Sequence, residues 1–432
     1  MAWKASWSQW SIRWILLCIL VLLVSSYNDS ELHLRTIRLM KQAPLIDGHN
    51  DFALQIRRLY QNKLSTINLR ILNSTRTNIK KLKDGYVGAQ FWSAYVLCSS
   101  QDKDAVRLAL EQIDVIKRMC NEYDELELVT SSEGIVKTSK LACLIGIEGG
   151  HAIDSSLGTL RMFYDLGVRY MSLTHTCNTP WAETSSYGVH SSYQDTKSLT
   201  DFGKEVVKEM NRIGMIIDLS HTSFSTSREV LNVSKAPVIF SHSAAFALCK
   251  INRNIPDDIL KQVKENKGLV MVNFHTEFVA CQKTANISTV ADHFDYISRV
   301  AGFQSVGIGG DYDGVNGYPS GLEDPSKYPS LIQELLRRGW KEKELEGVLR
   351  GNFLRVFREV EKVRDEQIYL NPSEEEISDD ELNYSCRLDL RSFEPKNLQK
   401  SGGQEKGRSM LDLILNVSII FLPVLLRELR GW

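Results

Sequence analysis

The stretch LIDGHNDF, residues 45–52, runs from an apolar β-strand pattern directly into a group of polar side chains. Leu45 and Ile46 suit a buried strand, and His49 and Asp51 follow at once. Burying an unpaired imidazole or carboxylate is costly, so both side chains need partners. A hydrogen-bonded turn would provide them, and so would a metal ion held by further His, Asp or Glu ligands. The other strands of the chain decide between the two.

Between about residues 40 and 365, short apolar runs alternate with helical patterns at 104–119, 199–213 and 255–266. Continuous apolar runs indicate strands that are buried on both faces. Such strands are predicted at PLIDGH, YVGAQFWSA, ACLIGIE, VRYMSLTH, GMIIDLSH, APVIFSH, GLVMVNFH and SVGIGGD. Alternating β and α units with eight strands predict a (β/α)8 TIM barrel. The alternative is a doubly wound open sheet, but the Gly-rich dinucleotide turn of that fold is missing.

Six of the predicted strands end at a side chain that can bind metal or transfer protons. These residues are His49 with Asp51, Glu148, His175, His221, His242 and Asp311. The C-terminal strand ends of such a barrel converge on one mouth, where active sites lie. Imidazoles and carboxylates are the ligands of catalytic zinc, and this set is too large for one ion with an open position. The sequence therefore favours two ions about 3.5–4 Å apart, bridged by Glu148, although each residue alone could be an ordinary cap.

Both ends of the chain carry targeting patterns. Basic residues precede the apolar run 14–24, which predicts a signal peptide over 1–26, with a membrane anchor as the alternative. The acidic stretch 366–400 is predicted to be a polar tail. Small residues, a spacer and an apolar run at 411–426 then predict a removable GPI-anchor signal over 401–432, with a transmembrane helix as the alternative. These patterns predict passage through the secretory pathway to the outer face of the plasma membrane.

Composition and cysteine content narrow the class of protein further. The 432 residues are 43% hydrophobic with a net charge of −1, which suits a large globular core and argues against a nucleic-acid partner. Without Cys18, which leaves with the signal peptide, seven of the eight cysteines remain, so a free buried thiol or an interchain bridge is expected. Cys143 is predicted to be a core residue, whereas Cys386 in the polar tail suits a bridge between subunits. Glycosylation is predicted at Asn28, Asn73, Asn232, Asn286 and Asn383.

Seven motifs in one order carry a resemblance to a known family: DGHND, IGIEGGH, THTCNTPWAE, IDLSH, APVIFSHSAA, NISTVADHFD and GIGGDYDG. Over residues 40–390 the chain resembles the membrane (renal) dipeptidases, and it looks closer to the dipeptidase-2 branch, which is associated with leukotriene D4. The resemblance implies a barrel with two zinc ions. It assigns His49 and Asp51 to one ion, His221 and His242 to the other, and Glu148 to both.

The resemblance also implies an activity and the residues that serve it. The reaction would be hydrolysis of dipeptides, including leukotriene D4 to leukotriene E4 and cystinyl-bis-glycine. Glu148, His175 and Asp311 would be catalytic, and His175, Arg253 and Asp311 would bind substrate. The implied bridges are Cys98–Cys177 and Cys249–Cys281, with Cys386 linking a homodimer.

Two other functions stay open at this level. One is a different binuclear amidohydrolase-type hydrolase on the same barrel, such as a deaminase or a lactonase. The other is a surface receptor whose catalytic site is vestigial. Arg253 favours a substrate that bears a carboxylate, but it could instead be a loop residue that pairs with Asp257 or Asp258.

Overall fold

In the computed structural model, eight parallel strands close into a barrel. The structure describes residues 29–186 and 192–382, together with Trp14. The strands in this part are β1 (Leu45–Asn50), β2 (Val87–Tyr95), β3 (Leu126–Leu128), β4 (Leu141–Glu148), β5 (Val168–Ser172), β6 (Ile216–Asp218), β7 (Ile239–Ser243), β8 (Leu269–Val272) and β9 (Val306–Ile308). Strand β1 pairs with β2 and β9, and β2 pairs with β4, so the ring closes without β3. The predicted (β/α)8 barrel is confirmed.

Helices follow the barrel strands, as the alternating pattern requires. They are α1 (residues 29–42), α2 (Phe52–Tyr60), α3 (Ile79–Asp84), α4 (Ala105–Glu122), α5 (Ser132–Lys137), α6 (Leu157–Asp165), α7 (Asp201–Ile213), α8 (Phe224–Val233), α9 (Asp257–Glu265), α10 (Thr276–Ala280), α11 (Ile287–Ala301), α12 (Tyr328–Arg337), α13 (Glu342–Glu346) and α14 (Asn352–Glu366). The three predicted helical patterns correspond to α4, α7 and α9. Within the described residues, no helix combines the length and apolar character that a membrane crossing needs.

All eight predicted strands are present, and β3 is an addition that the sequence did not predict. Its three residues pair with the N-terminal part of β4, from Leu126 opposite Leu141 to Leu128 opposite Cys143. The segment is too short to show a strand pattern of its own. Because β5 pairs with β4 only from Ile145 onward, β3 occupies the part of that edge that β5 leaves open.

The barrel interior is filled by apolar side chains below the polar mouth. Phe91 of β2 and Tyr170 of β5 are fully buried, and their ring centroids lie 4.8 Å apart. Helix α14 adds Phe353, whose ring lies 5.3 Å from that of Phe91. Full burial of such side chains contributes roughly 1.5–3 kcal/mol each. This packed core lies beneath the strand ends and supports them.

The strand register brings polar residues to one level at the mouth. Tyr95 of β2 lies opposite Glu148 of β4, Glu148 opposite Ser172 of β5, and Ser172 opposite Asp218 of β6. All four are the last residues of their strands. Neighbouring side chains at this level are therefore within contact distance although they are far apart in sequence.

The structure contains three disulfide bonds within its described residues. Cys98 bonds with Cys177 and Cys249 with Cys281, the two pairs that the family resemblance implies. The third joins Cys120 of α4 to Cys143 of β4. Cys143 is fully buried, as predicted, but it is a bridged residue and not a core thiol. This disulfide was not predicted from the sequence, because the residues around each cysteine give no indication of its partner.

Part of the predicted tail packs against the barrel. The N–H of Ser373 contacts the buried carboxylate of Glu209 on α7, and its C=O accepts a hydrogen bond from Arg161. Ile377 is only 4% exposed. The predicted signal peptide, the anchor signal, Cys386, Asn28 and Asn383 lie outside the described residues. Asn73, Asn232 and Asn286 are exposed, as a glycosylated side chain must be.

Candidate metal centre and substrate cleft

The predicted metal ligands converge on the carboxylate of Glu148. Its Oε1 lies 3.1 Å from His221 Nε2 and 3.3 Å from His242 Nε2. Its Oε2 lies 3.4 Å from His49 Nε2, which is itself 3.2 Å from Asp51 Oδ2. All five residues are buried. The ends of β1, β4 and β7 and the turns after β1 and β6 thus supply one cluster with Glu148 at its centre.

The two other residues predicted to be catalytic border this cluster. His175 Nε2 lies 3.8 Å from Glu148 Oε1, on the side of His221, whose ring centroid is 4.3 Å away. Asp311 groups with His49 and Asp51, with their ligand atoms within 4.8 Å of one another. The structure therefore brings together every residue that the sequence assigned to metal or catalysis.

Hydrogen bonds at the outer ring nitrogens turn the imidazoles inward. His49 Nδ1 lies 2.9 Å from the hydroxyl of Tyr170, and His242 Nδ1 lies 2.8 Å from Ser241 Oγ. The Nε2 atom of each ring is left to face Glu148. Such partners of the outer nitrogen are the usual means of orienting metal-binding histidines.

His221 is held in place through its backbone. Its φ of 69° lies in the left-handed region, which is unfavourable for a residue with a side chain. Its carbonyl accepts hydrogen bonds from Thr174 Oγ1 at 3.1 Å and from the Ser185 N–H at 2.7 Å. These two donors offset the strain and keep the imidazole at the cluster.

Asp311 is fixed by a close turn after β9. Its φ is 57°, and its Oδ2 accepts a 2.8 Å hydrogen bond from Asn273 Nδ2. Asn273 Oδ1 accepts from the N–H of His275, which fixes the orientation of the amide. A Cβ atom at Gly314 would lie 2.1 Å from Asp51 Oδ2, so only glycine fits there. Burial, with a contribution from Asp51, raises the pKa of Asp311 to about 8, although His49 opposes the shift.

The electrostatics of the cluster suit divalent cations. Burial raises the pKa of Glu148, and the nearby Asp51 adds to that effect while His49 opposes it. Burial holds the pKa values of His221 and His242 well below the ordinary range, so both rings are neutral, the form that binds metal. Their Nε2 atoms are only 3.0 Å apart, and the buried Oδ1 of Asp51 has no hydrogen-bond partner. Converging lone pairs and an unpaired carboxylate oxygen fit bound metal ions.

Arg253 lies at the edge of the cluster, and its side chain is buried. It donates hydrogen bonds to Ser243 Oγ at 2.7 Å and to the carbonyl of His242 at 2.8 Å, while its buried Nε has no partner. It does not pair with Asp257 or Asp258, which contact Tyr296 and Arg228 instead. The alternative pairing of Arg253 with Asp257 or Asp258 is therefore wrong, and the guanidinium keeps N–H groups for another acceptor.

The structure also identifies supporting residues that the sequence analysis missed. Ser93 donates to Glu148 Oε2 at 3.2 Å, and Tyr170, Ser241 and Asn273 make the contacts given above. Asp218 accepts hydrogen bonds from Ser241. Asp218 and Asn273 stand beside strand ends, within IDLSH and VMVNFH, so the strand-end pattern itself could have indicated them. Tyr170 lies within an apolar strand pattern, so nothing in the sequence indicates that it contacts the cluster.

A closed parallel barrel with buried imidazoles and carboxylates at its C-terminal mouth defines a metal-dependent hydrolase. Comparison with known proteins then identifies the family: the chain belongs to the membrane dipeptidases, peptidase family M19, whose family model matches residues 34–369. The predicted family is thus confirmed, and with it a metallo-dipeptidase class of enzyme.

Similar proteins support this assignment. The human protein named Dipeptidase 3 is 57% identical over 356 residues, which cover 82% of this chain and 73% of that protein. Mouse Dipeptidase 3 is 55% identical over 363 residues, or 84% of this chain and 74% of that one. These names do not confirm the predicted dipeptidase-2 branch. A crystal structure of a metallo peptidase from Rhodobacter sphaeroides, liganded with a phosphinate mimic of L-Ala-D-Ala, shares the fold with a TM-score of 0.67. It is 23% identical, over 73% of this chain and 99% of that chain.

Proposed function

We propose that this protein is a zinc-dependent dipeptidase whose two zinc ions share the carboxylate of Glu148. The observation that carries the proposal is the convergence of three imidazole Nε2 atoms on the two oxygens of this one buried side chain, at 3.1–3.4 Å. His49 and Asp51 would hold one ion, and His221 and His242 the other. Oε1 of Glu148 faces His221 and His242, and Oε2 faces His49, which supports its role as the bridge.

The chemistry that such a zinc pair supplies when bound is Lewis acidity, which lowers the pKa of water and polarises a carbonyl group. The chain's own residues hold the reactants. His175 borders the cluster on the side of His221 and can donate a hydrogen bond to the oxygen that gains negative charge. Asp311 can accept from the substrate's ammonium and pass a proton to the leaving amine, because Asn273 keeps its carboxylate in a fixed orientation.

Arg253 is proposed to bind the terminal carboxylate of the substrate. Its guanidinium is fixed by two hydrogen bonds and retains an unpaired buried Nε–H. It can therefore donate to a carboxylate with little loss of side-chain entropy. Recognition of one terminus by Arg253 and of the other by Asp311 would restrict cleavage to dipeptides. This requirement for a carboxylate favours a peptidase over the deaminase or lactonase alternatives.

The proposed substrates include leukotriene D4 and cystinyl-bis-glycine, since both carry a short peptide with a free terminal carboxylate. The phosphinate ligand of the Rhodobacter sphaeroides enzyme mimics a dipeptide, which supports a dipeptide-sized cleft in the shared fold. Within this proposal the enzyme is a glycosylated homodimer linked through Cys386 and attached to the outer face of the plasma membrane by a GPI anchor. The predicted signal peptide and anchor signal support that location.

The test is hydrolysis of a panel of dipeptides, leukotriene D4 and a lactone by purified protein, before and after treatment with a chelator. We expect cleavage of dipeptides and leukotriene D4 that the chelator abolishes and added zinc restores. Turnover of the lactone alone would favour a different hydrolase on the same barrel. Absence of any turnover by zinc-loaded protein would favour the receptor alternative.

A further inference from the structure

Asp218 makes no contact with the predicted substrate groups, yet it is fully buried beside the cluster at the end of β6. Its Oδ1 accepts hydrogen bonds from the backbone N–H groups of Ser220 at 3.0 Å and Ser241 at 2.8 Å. Its Oδ2 accepts from the hydroxyls of Ser172 and Ser241, the latter at 2.7 Å. Among the described residues, Arg253 acts on it only through a longer-range electrostatic attraction and does not form a close ion pair with it. A carboxylate at this depth is stabilised by these four hydrogen bonds, so the groups that donate them are held in fixed orientations.

The hydroxyl of Ser241 connects Asp218 to His242. It has one proton, and Asp218 Oδ2 at 2.7 Å is a nearer acceptor than Ser220 Oγ at 3.3 Å. Its oxygen also lies 2.8 Å from His242 Nδ1. The carboxylate of Asp218 is a stronger acceptor than a neutral imidazole nitrogen, so the proton goes to Asp218 and the Ser241 oxygen accepts from Nδ1. Nδ1 must therefore carry the hydrogen of the neutral imidazole, and Nε2 must carry the lone pair that faces Glu148.

We infer that Asp218 is a positioning residue that, through Ser241, sets the tautomer of His242 so that Nε2 can bind a metal ion. The inference rests on the proposed zinc site and deepens it. Without this chain of hydrogen bonds, the ring could place its hydrogen on Nε2 and donate it to His221 Nε2 or to Glu148 Oε1, which lie 3.0 and 3.3 Å away. That tautomer has no lone pair for a metal ion at this position.

Asp218→Asn provides a directional test, because the backbone fixes how the new amide must lie. Only an oxygen can accept from the N–H groups of Ser220 and Ser241, so the amide nitrogen takes the place of Oδ2. That nitrogen donates to Ser241 Oγ, whose own proton then turns toward His242 Nδ1. The substitution should enforce the wrong tautomer and lower zinc affinity by roughly 10–100-fold, as loss of outer partners of metal ligands does.

Removal of the Ser241 hydroxyl distinguishes this mechanism from general damage. Ser241→Ala alone should weaken zinc binding less than Asp218→Asn, because neither tautomer is then enforced. The double variant should bind zinc more tightly than Asp218→Asn, since the misdirected hydroxyl is gone. Ser172→Ala removes another donor to Asp218 Oδ2 but leaves Ser241 intact. The zinc affinity of this variant should therefore stay within about threefold of wild type.

The measurement is zinc competition against a chromophoric chelator on the full chain, with circular dichroism and the melting temperature recorded for every variant. If Asp218→Asn does not fold, Ser241→Ala and Ser172→Ala still give the comparison. Wild-type affinity in folded Asp218→Asn, a double variant weaker than Asp218→Asn, or equal losses in Ser172→Ala and Ser241→Ala would overturn the inference. Failure of the wild-type protein to bind zinc would instead overturn the proposed function.

Discussion

Replacement of Arg253 by alanine tests how the cleft recognises a dipeptide. Arg253 is 8% exposed, and the free N–H groups of its guanidinium are proposed to bind the substrate carboxylate. Loss of a charge-assisted pair costs roughly 1.5–3 kcal/mol, and each 1.4 kcal/mol is tenfold. We therefore expect kcat/KM on a dipeptide to fall by roughly 10- to 150-fold.

The same substitution also breaks two structural hydrogen bonds, to Ser243 Oγ and to the carbonyl of His242. Because His242 is a proposed metal ligand, part of any loss could come from a disturbed cluster. A dipeptide amide separates the two effects, since it lacks the carboxylate but meets the same cluster. The carboxylate role predicts a large loss on the dipeptide and a small loss on its C-terminal amide.

The assay compares wild type, Arg253→Ala and Arg253→Lys on a dipeptide and its amide. Lysine should restore only part of the activity, because an ammonium cannot form the planar fork of hydrogen bonds. Arg228→Ala is a matched control, since Arg228 pairs with Asp258 at the surface and should leave both rates unchanged. Equal losses on the two substrates would refute the carboxylate role and leave Arg253 with a supporting one.

Three further predictions concern stability and the chain ends. Glu209 carries a buried charge that pairs with two arginines and contacts Ser373. Glu209→Gln should therefore lower the melting temperature by roughly 2–8 °C without changing kcat/KM. An unchanged melting temperature would contradict the pairing. The hydrogen bond from Arg70 lowers the pKa of Glu125 from 4.5 to about 2, so the stability it adds is present above pH 4.5 and is lost as the pH falls toward 2. The difference in melting temperature between wild type and Glu125→Gln should therefore shrink from pH 6 to pH 3, and a constant difference would count against it. At the chain ends, Cys386→Ser should abolish the dimer seen on non-reducing gels. Phosphatidylinositol-specific phospholipase C should release the wild-type protein from cells. Retention of residues 427–432 in the mature chain would exclude the anchor.

The strand ends were predictable from sequence because two simple rules act together. An apolar run that stops at His or Asp marks both a buried strand and a polar mouth, and barrel closure then brings those ends together. Residues as distant as His49 and His242 could thus be assigned to one site before any geometry was known. Their ring centroids lie 3.8 Å apart in the structure.

Contacts that depend on the exact register were not predictable in this way. Tyr170 reaches His49 across 121 residues, and its side chain looks like ordinary strand filling until the barrel is closed. The Cys120–Cys143 bond joins a helix to a strand and has no local signature. Ile377 is buried although it lies in an acidic stretch without apolar periodicity. The segment around Ser373 contacts the barrel and brings Ile377 close to it.

The proposed bridging of two zinc ions by Glu148 is tested by zinc content measured together with dipeptide hydrolysis for wild type and Glu148→Gln. We expect two zinc ions per wild-type chain. Glu148→Gln should lose bound zinc and activity but keep its circular dichroism spectrum, because the apolar barrel core does not depend on this side chain. Two tightly bound zinc ions and full turnover in Glu148→Gln would contradict the proposed bridging.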